Sequence, residues 1–291
     1  MRAVVRERTL RLRSPMRSAH GDMTERPLLL LEVEDADGRT AAGEAAPLES
    51  YDGVSVERCR AALDIHAQVL NAASASTGAQ LLDACREADP LPQALSAVDI
   101  ALWSLAGLRE GKSVSALLSD AALAQIAVNG TIGADDPAAA AAQARRLADS
   151  GLRCLKLKVG VGDDAARLAE VRQAIGDDVL LRLDANGAWT VDEALSALAD
   201  FPGSGIELVE EPVHGVDALR EVQQRSGMRI AMDETGAELG AIASGATDAV
   251  CLKLSRAGGI SALLAQAALA RLVGSQVYIS STFDGPIGIA A

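Results

Sequence analysis

The first 110 or so residues combine two strand-like stretches with two helical ones. "AVVRERTLRLR" and "PLLLLEVEDADGRTAAGEA" have the composition of antiparallel strands, and the second stretch turns at "DADG". Apolar positions at helical spacing follow over residues 54–73 and 92–109. Strands followed by helices are typical of a small α+β domain, which we predict over residues 1–115.

From about residue 125, short aliphatic stretches alternate with alanine- and leucine-rich helical stretches. Seven strands are predicted in this part, at "IAVNGTI", "CLKLKVG", "LLRLDAN", "IELVEEP", "RIAMDET", "AVCLKLS" and "VYISSTF". Parallel strands need a crossover, usually a helix, so this alternation predicts a parallel sheet. So many successive units favour a closed barrel over an open sheet. No strand is followed by "GxGxxG", the signature of a dinucleotide-binding sheet.

We therefore predict the α/β class, with a TIM-like barrel over residues 116–291. The chain stops at "GPIGIAA", where a seventh helix begins. A closed barrel requires that helix and an eighth strand. We expect the barrel to be incomplete at its carboxyl terminus.

Composition and charge argue against nucleic-acid and membrane partners. Hydrophobic residues make up 49% of the chain and the net charge is −13, without a basic stripe, so we predict no nucleic-acid partner. The four cysteines lack pairing or metal-ligand spacing, which favours free thiols in a reducing compartment. Neither a membrane-spanning stretch nor an apolar signal core is found, so we predict a cytoplasmic protein without a membrane partner.

Charged side chains recur at the ends of the predicted strands. They are Lys156, Lys158, Asp184, Glu210, Asp233 and Lys253. The intervals from Lys158 to Asp184 and from Asp184 to Glu210 are both 26 residues, and the next two are 23 and 20. These are lengths of one strand–helix unit, so we expect the charged groups at one height, each on the next strand around the barrel.

This pattern indicates a metal-dependent active site, because the carboxyl ends of the strands form the active-site rim of such barrels. Three bare carboxylates would repel each other and raise their own pKa values. A hard divalent cation resolves that repulsion, and oxygen ligands select Mg²⁺, with Mn²⁺ as the alternative. A lysine across from a metal-bound substrate can lose its proton and act as a base.

Each motif alone also has a structural explanation. "LDAN" is compatible with a simple turn, "EEP" with a solvated loop, and "KLK" with the exposed face of an edge strand. Lys253 could extend its amine to solvent from a strand end. The joint recurrence favours the functional interpretation. Strand parity cannot decide between Glu210 and Glu211, because adjacent residues leave opposite faces.

The motifs "KLKVG", "LRLDANGAW", "IELVEEPV", "IAMDET" and "CLKLSRAGGI" resemble the enolase superfamily in its muconate lactonizing enzyme subgroup. The resemblance is close over residues 125–291. "GEAAPLESYDGVS" and "SAVDIALWSLAG" extend it to the family's amino-terminal capping domain. It implies a (β/α)7β barrel preceded by an α+β capping domain, and an enzyme that abstracts the proton α to a carboxylate. The carboxyl-terminal part that normally completes the fold is absent from the sequence.

The resemblance also assigns roles. It implies Asp184, Glu210 and Asp233 as Mg²⁺ ligands, and Lys158 and Lys253 as catalytic groups on opposite faces of a small carboxylate substrate. Lys156 would hold down the pKa of Lys158 and contact the substrate carboxylate, with Asn186 and Glu234 supporting the ligands. The specificity loops would lie at residues 17–23, 48–53 and 282–286, which contribute the predicted substrate-binding residues Ser18, His20, Tyr51 and Asp284. Related barrels often assemble, which leaves a homo-oligomer open.

Several reactions fit these motifs. "GEAAPLESYDG" most resembles the o-succinylbenzoate synthases of menaquinone biosynthesis, a lyase activity in which Lys158 removes the proton and Lys253 stabilises the enolate by charge. Dipeptide epimerases, N-acylamino acid racemases and muconate cycloisomerases share the same motifs. Two hypotheses from other classes are a metal-independent Schiff-base aldolase and an inactive relative that only binds.

Overall fold

The chain forms two compact units. The computed structural model describes residues 1–18, 21–74, 76–133, 136–201 and 205–291, without the side chains of residues 14–22. The first unit comprises residues 1–124, 252–267 and 279–291, and the second comprises residues 125–251 and 268–278.

The first unit is built on an antiparallel sheet of three strands in the order β1-β2-β3. The strands are β1 (Arg2–Ser18), β2 (Gly21–Glu34) and β3 (Thr40–Ala45). The helices are α1 (Glu49–Asp52), α2 (Val56–Ala72), α3 (Gly78–Ala88), α4 (Pro92–Glu110) and α5 (Val114–Leu118). Buried aliphatic side chains of α2, α3 and α4 pack against the sheet and form the core of this unit.

The second unit contains successive strand–helix pairs. Its strands are β4 (Gly130–Ile132), β5 (Cys154–Lys158), β6 (Leu180–Asp184), β7 (Ile206–Glu210) and β8 (Ile230–Met232). Its helices are α6 (Pro137–Asp149), α7 (Asp164–Ile175), α8 (Val191–Asp200) and α9 (Val216–Ser226). The start of α8 is fixed by its local sequence. It begins with a capping box, in which the side chain of Thr190 accepts from the backbone N–H of Glu193 and the side chain of Glu193 accepts from the backbone N–H of Thr190.

The rest of the chain runs through both units. It contains β9 (Ala249–Lys253), α10 (Leu254–Ala257), α11 (Ile260–Leu272), β10 (Gln276–Ser280) and α12 (Pro286–Ala290). In the described residues the strands β4 to β10 form one seven-stranded sheet in the order β10-β9-β8-β7-β6-β5-β4, and β4 to β9 pair in parallel. Each strand therefore lies beside the strand that precedes it and the strand that follows it in the chain, which is the strand order of a β/α barrel.

The secondary-structure predictions are largely confirmed. Each of the seven aliphatic stretches contains a strand, and the two predicted helices correspond to α2 and α4. In the first part of the chain, the helices α1, α3 and α5 were not predicted, and β2 and β3 were predicted as one stretch that turns at "DADG". Of the helices in the described ranges, not one has both the length and the hydropathy to cross a membrane.

Substitution of Gly43 by alanine is expected to destabilise the first unit. A Cβ at this position of β3 would lie 1.8 Å from the carbonyl oxygen of Ala97 in α4. Backbone cannot yield as a side chain can, so we expect the free energy of unfolding to fall by about 2 kcal/mol or more. Urea denaturation measures this change.

Gly78→Ala is the matched control. Gly78 begins α3, and an added Cβ there meets nothing within 4 Å. We expect that variant to be neutral or stabilised by up to about 1 kcal/mol. Equal denaturation midpoints for Gly43→Ala and the unsubstituted protein would contradict the close packing of β3 against α4.

Candidate active site

The two lysines of β5 lie on one face of the strand, opposite a fully buried apolar face. Leu155 and Leu157 are 0% exposed, whereas the side chains of Lys156 and Lys158 are 13% and 34% exposed. The strand lies between β4 and β6, so it is not an edge strand. The structural explanation of "KLK" as a solvent-facing edge is therefore wrong for Lys156, which is largely buried.

Three acidic residues at the ends of β6, β7 and β8 are buried. Asp184, Glu210 and Asp233 are 1%, 0% and 2% exposed. In register, Lys158 is opposite Asp184, and Asp184 is opposite Glu210. The prediction that charged groups on neighbouring strands share one height is confirmed for these three residues.

Both lysine amines contact the carboxylates. Lys156 Nζ lies 2.7 Å from Asp184 Oδ2 and 2.8 Å from Glu210 Oε2, and Lys158 Nζ lies 2.5 Å from the same Asp184 oxygen. Lys156 therefore bridges two strands, since its amine lies between the carboxylates of β6 and β7. Its predicted contact with a substrate carboxylate stays a prediction.

These contacts decide the ionisation of Asp184. Burial alone would raise the pKa of its carboxyl, but the charges and hydrogen bonds of Lys156 and Lys158 hold that pKa at about 2. Our expectation that mutual repulsion raises the carboxyl pKa values is therefore wrong for Asp184. Burial lowers the pKa of Lys156, but the charges of Glu210 and Asp184 outweigh it and the pKa lies well above the ordinary value.

Asn186 and Glu234 extend this cluster. The Asn186 side-chain oxygen accepts from Lys158 Nζ at 2.5 Å, and its amide nitrogen donates to Glu234 Oε1 at 2.9 Å. The backbone N–H of Asn186 donates to Asp184 Oδ1. Burial, together with the neighbouring charge of Asp233, raises the pKa of the Glu234 carboxyl. Asn186 thus connects the amine of Lys158 to the residue after Asp233.

Two other buried groups lie here. Glu211, which strand parity could not distinguish from Glu210, accepts hydrogen bonds from the backbone N–H groups of Asp233 and Thr235. Cys251 was not predicted as a site residue. The Cys251 sulfur has Glu210 and Asp233 carboxylate oxygens within 4.8 Å, and all three residues are buried. Strand alternation could have found Cys251, because it stands two residues before Lys253.

In the first unit, Lys253 has defined partners. Its amine donates to the Tyr51 hydroxyl at 2.7 Å, and Arg256 donates to the same oxygen at 2.6 Å. Both cations also lie over the Tyr51 ring, at 4.8 and 5.4 Å from its centre. Arg256 was not predicted as a site residue. Tyr51 was predicted to bind substrate, and in the structure it contacts the predicted catalytic lysine.

The loop that carries Asp284 is fixed by two buried charged residues. The Arg26 guanidinium donates to the carbonyl oxygens of Thr282 and Phe283, and Glu44 Oε1 accepts from the backbone N–H of Gly285 at 2.6 Å. Asp284 Oδ2 accepts from the backbone N–H of Thr282, and burial raises the pKa of its carboxyl.

His20 and the side chain of Ser18 lie outside the described residues. The remaining predicted residues separate by unit: Lys156, Lys158, Asp184, Asn186, Glu210, Asp233 and Glu234 are in the second, and Tyr51, Lys253 and Asp284 in the first.

The donor set suits a hard divalent cation. Asp184, Glu210 and Asp233 offer only carboxylate oxygens, the ligand type that Mg²⁺ prefers, from three neighbouring strands. Two of these carboxylates already share one cation, the Lys156 ammonium, which shows that their oxygens converge on positive charge. The Cys251 thiol is a soft ligand and adds nothing for Mg²⁺.

The second unit has a parallel β/α sheet, and its strand ends carry buried carboxylates and lysines. Barrel enzymes have their active sites at this end of the strands. The fold and the site together therefore indicate a barrel enzyme with an additional α+β domain. Residues 1–119 match the model of the mandelate racemase / muconate lactonizing enzyme N-terminal domain, and residues 139–291 match that of the enolase C-terminal domain-like family. The chain belongs to the enolase superfamily, in its muconate lactonizing enzyme subgroup, and is an enzyme of that superfamily.

Individual relatives agree with this assignment. The chain is 29% identical to a hydrophobic dipeptide epimerase of Enterococcus faecalis, over 88% of this chain and 75% of the relative. It is 28% identical to muconate cycloisomerase 1 of Pseudomonas putida, over 96% of this chain and 78% of the relative. The crystal structure of an Enterococcus faecalis dipeptide epimerase, complexed with Mg and the dipeptide L-Leu-L-Tyr, has a TM-score of 0.88 and 28% identity, over 99% of this chain and 84% of that one. The predicted fold class, a TIM-like barrel with an amino-terminal α+β capping domain, is confirmed.

Proposed function

We propose that this chain catalyses Mg²⁺-dependent proton transfer at the carbon α to a carboxylate, with epimerisation of dipeptides as the reaction. The observation that carries the proposal is the buried cluster in which Lys158 and Lys156 contact Asp184 and Glu210. The dipeptide epimerases among its relatives support this choice of reaction. For this reason we prefer epimerisation to the o-succinylbenzoate synthase activity that the "GEAAPLESYDG" segment suggests.

Asp184, Glu210 and Asp233 would hold the ion. When bound, Mg²⁺ supplies positive charge that offsets the negative charge developing on the substrate carboxylate as the α-proton leaves. The lysines do the proton transfer. The amine of Lys158 accepts the α-proton on one face, and Lys253 delivers a proton to the other face, so the configuration at the α-carbon inverts and no atom is lost.

The neighbours of each lysine orient its amine for this task. The side-chain oxygen of Asn186 accepts from Lys158, and the Tyr51 hydroxyl accepts from Lys253. A positioned amine within reach of the substrate proton is the requirement for general acid–base catalysis. The restriction of each amine by a hydrogen-bond partner supports the assignment of these two lysines.

Isotope exchange tests the proposal. Purified protein with Mg²⁺ is incubated in D₂O with a dipeptide library and, separately, with N-acylamino acids, the o-succinylbenzoate precursor and muconate, and each product is analysed by chiral chromatography and mass spectrometry. We expect inversion at one α-carbon together with one deuterium in the product. The absence of α-deuterium from every dipeptide and N-acylamino acid would contradict the proposal.

The same experiment separates the other candidate reactions. The o-succinylbenzoate precursor would lose water, and muconate would cyclise, each without inversion of a dipeptide. A Schiff-base aldolase would retain activity in EDTA, and borohydride would trap a carbonyl substrate on a lysine. An inactive relative would bind the ion and yield none of these products.

A further inference from the structure

Glu211 is a fully buried carboxylate beside the proposed metal ligands, and its side chain accepts four hydrogen bonds. Oε2 accepts from the backbone N–H of Asp233 at 2.6 Å, and Oε1 accepts from the backbone N–H of Thr235 at 2.9 Å. Oε1 also accepts from the Thr235 hydroxyl and from His214 Nδ1 at 3.0 Å. The hydroxyl of Thr235 in turn accepts from Gly215 N–H, so its hydrogen is directed to Glu211.

The backbone of Glu211 also forms hydrogen bonds with β8 and with the segment that follows β6. Its N–H donates to the carbonyl oxygen of Ala231 in β8, and its carbonyl oxygen accepts from the N–H of Gly187, beyond β6. The residue has a φ of 40°, a left-handed conformation that costs free energy for a side chain other than glycine. Such a conformation persists where the surroundings enforce it, and here hydrogen bonds from two neighbouring strand ends do so.

Through these contacts Glu211 connects all three proposed ligands. It follows Glu210 directly, its side chain fixes the backbone of Asp233, and its carbonyl oxygen fixes Gly187, three residues after Asp184. Asp233 begins a short 3-10 turn, Glu234–Ala237, that lacks the ladder hydrogen bonds of a strand. The Glu211 carboxylate supplies an acceptor for the first N–H groups of that turn.

We propose that Glu211 is a positioning residue that sets the separation of Asp233 from Asp184 and Glu210, and thereby the affinity for Mg²⁺. This inference rests on the proposed function. Both carboxylate oxygens must accept, because each faces a backbone N–H. A glutamine has the same shape but only one accepting oxygen, so its NH₂ group would face an N–H donor and displace the turn that carries Asp233.

Glu211→Gln is therefore expected to raise the Mg²⁺ dissociation constant by about tenfold or more, the usual effect of removing a partner of a metal ligand. Isothermal titration calorimetry measures this constant without turnover. Hydrogen exchange in EDTA gives a second measurement, in which the segment 233–237 of the variant should exchange faster while the segment 154–158 is unchanged.

Two control variants distinguish an effect of Glu211 on the position of Asp233 from a general loss of protein stability. Glu207→Gln removes a carboxylate from the same strand that is paired with Arg182, and His214→Ala removes one of the four donors but keeps the carboxylate. We expect both variants to bind Mg²⁺ within about threefold of the unsubstituted protein, because neither changes the carboxylate oxygens that face the N–H groups of Asp233 and Thr235.

An unchanged Mg²⁺ affinity in folded Glu211→Gln would overturn this inference alone. If Glu211→Gln does not fold, Glu211→Asp keeps the charge but withdraws the carboxylate from the N–H groups of Asp233 and Thr235, and an Mg²⁺ affinity equal to that of the unsubstituted protein would then overturn the inference. An unsubstituted protein that binds no Mg²⁺ would overturn the proposed function and this inference with it.

Discussion

Replacement of Lys158 by alanine is expected to lower kcat by at least about 10³-fold, because the variant lacks the amine that we propose as the acceptor of the α-proton. The fold should tolerate the change, since the Lys158 side chain is 34% exposed and Asp184 keeps its contact with Lys156. Mg²⁺ affinity should not weaken, because the substitution removes a positive charge from a proposed ligand. Turnover of the best dipeptide and calorimetric Mg²⁺ binding measure the two effects.

The chain offers a matched control and a stereochemical test for this prediction. It has four lysines, Lys112, Lys156, Lys158 and Lys253, and Lys112 is exposed between helices. Lys112→Ala should therefore leave kcat unchanged. Lys158→Ala should abolish α-deuterium exchange for one epimer, and Lys253→Ala for the other. Equal exchange of both epimers by the Lys158 variant would remove Lys158 from its proposed role.

The position of the acidic groups could be predicted from sequence because the barrel repeats itself. Asp184 and Glu210 are one strand–helix unit apart, and the parallel register places them opposite each other. Their burial follows from the same regularity, since the end of a central strand has neighbours on both sides. Hydrophobic periodicity alone sufficed to locate these strands.

The contacts within the cluster could not be predicted in this way. Alternation puts Lys156 and Lys158 on one face, but the choice of partner depends on side-chain length and on where the neighbouring carboxylates point. That choice reversed the expected direction of the Asp184 pKa. The role of Glu211 was also hidden, because its left-handed backbone breaks the alternation on which parity depends.

In the first unit, too, some features could be predicted from the sequence and others could not. Its helices α2 and α4 have apolar patterns that are visible in sequence, whereas β3 is a run of small residues, "TAAGEA", without strand alternation. Gly43 and the Ala97 carbonyl approach so closely that only glycine fits, which is a property of packing and not of pattern. The loop contacts of Arg26 and Glu44 join residues more than 200 positions apart, and one sequence contains no signal for them.

Replacement of Glu210 by glutamine is expected to abolish both turnover and the stabilisation of the protein by Mg²⁺. Glu210 is 0% exposed and stands between Asp184 and Asp233 on the middle strand of three, so its loss removes the central proposed ligand. Mg²⁺ at one hundred times its dissociation constant should stabilise the unsubstituted protein by about 2.7 kcal/mol. The melting temperature should therefore rise with Mg²⁺ and fall with EDTA, and in Glu210→Gln neither reagent should change it. Glu207→Gln, on the same strand, should keep the response. A Glu210→Gln protein that is still stabilised by Mg²⁺ would place the ion elsewhere.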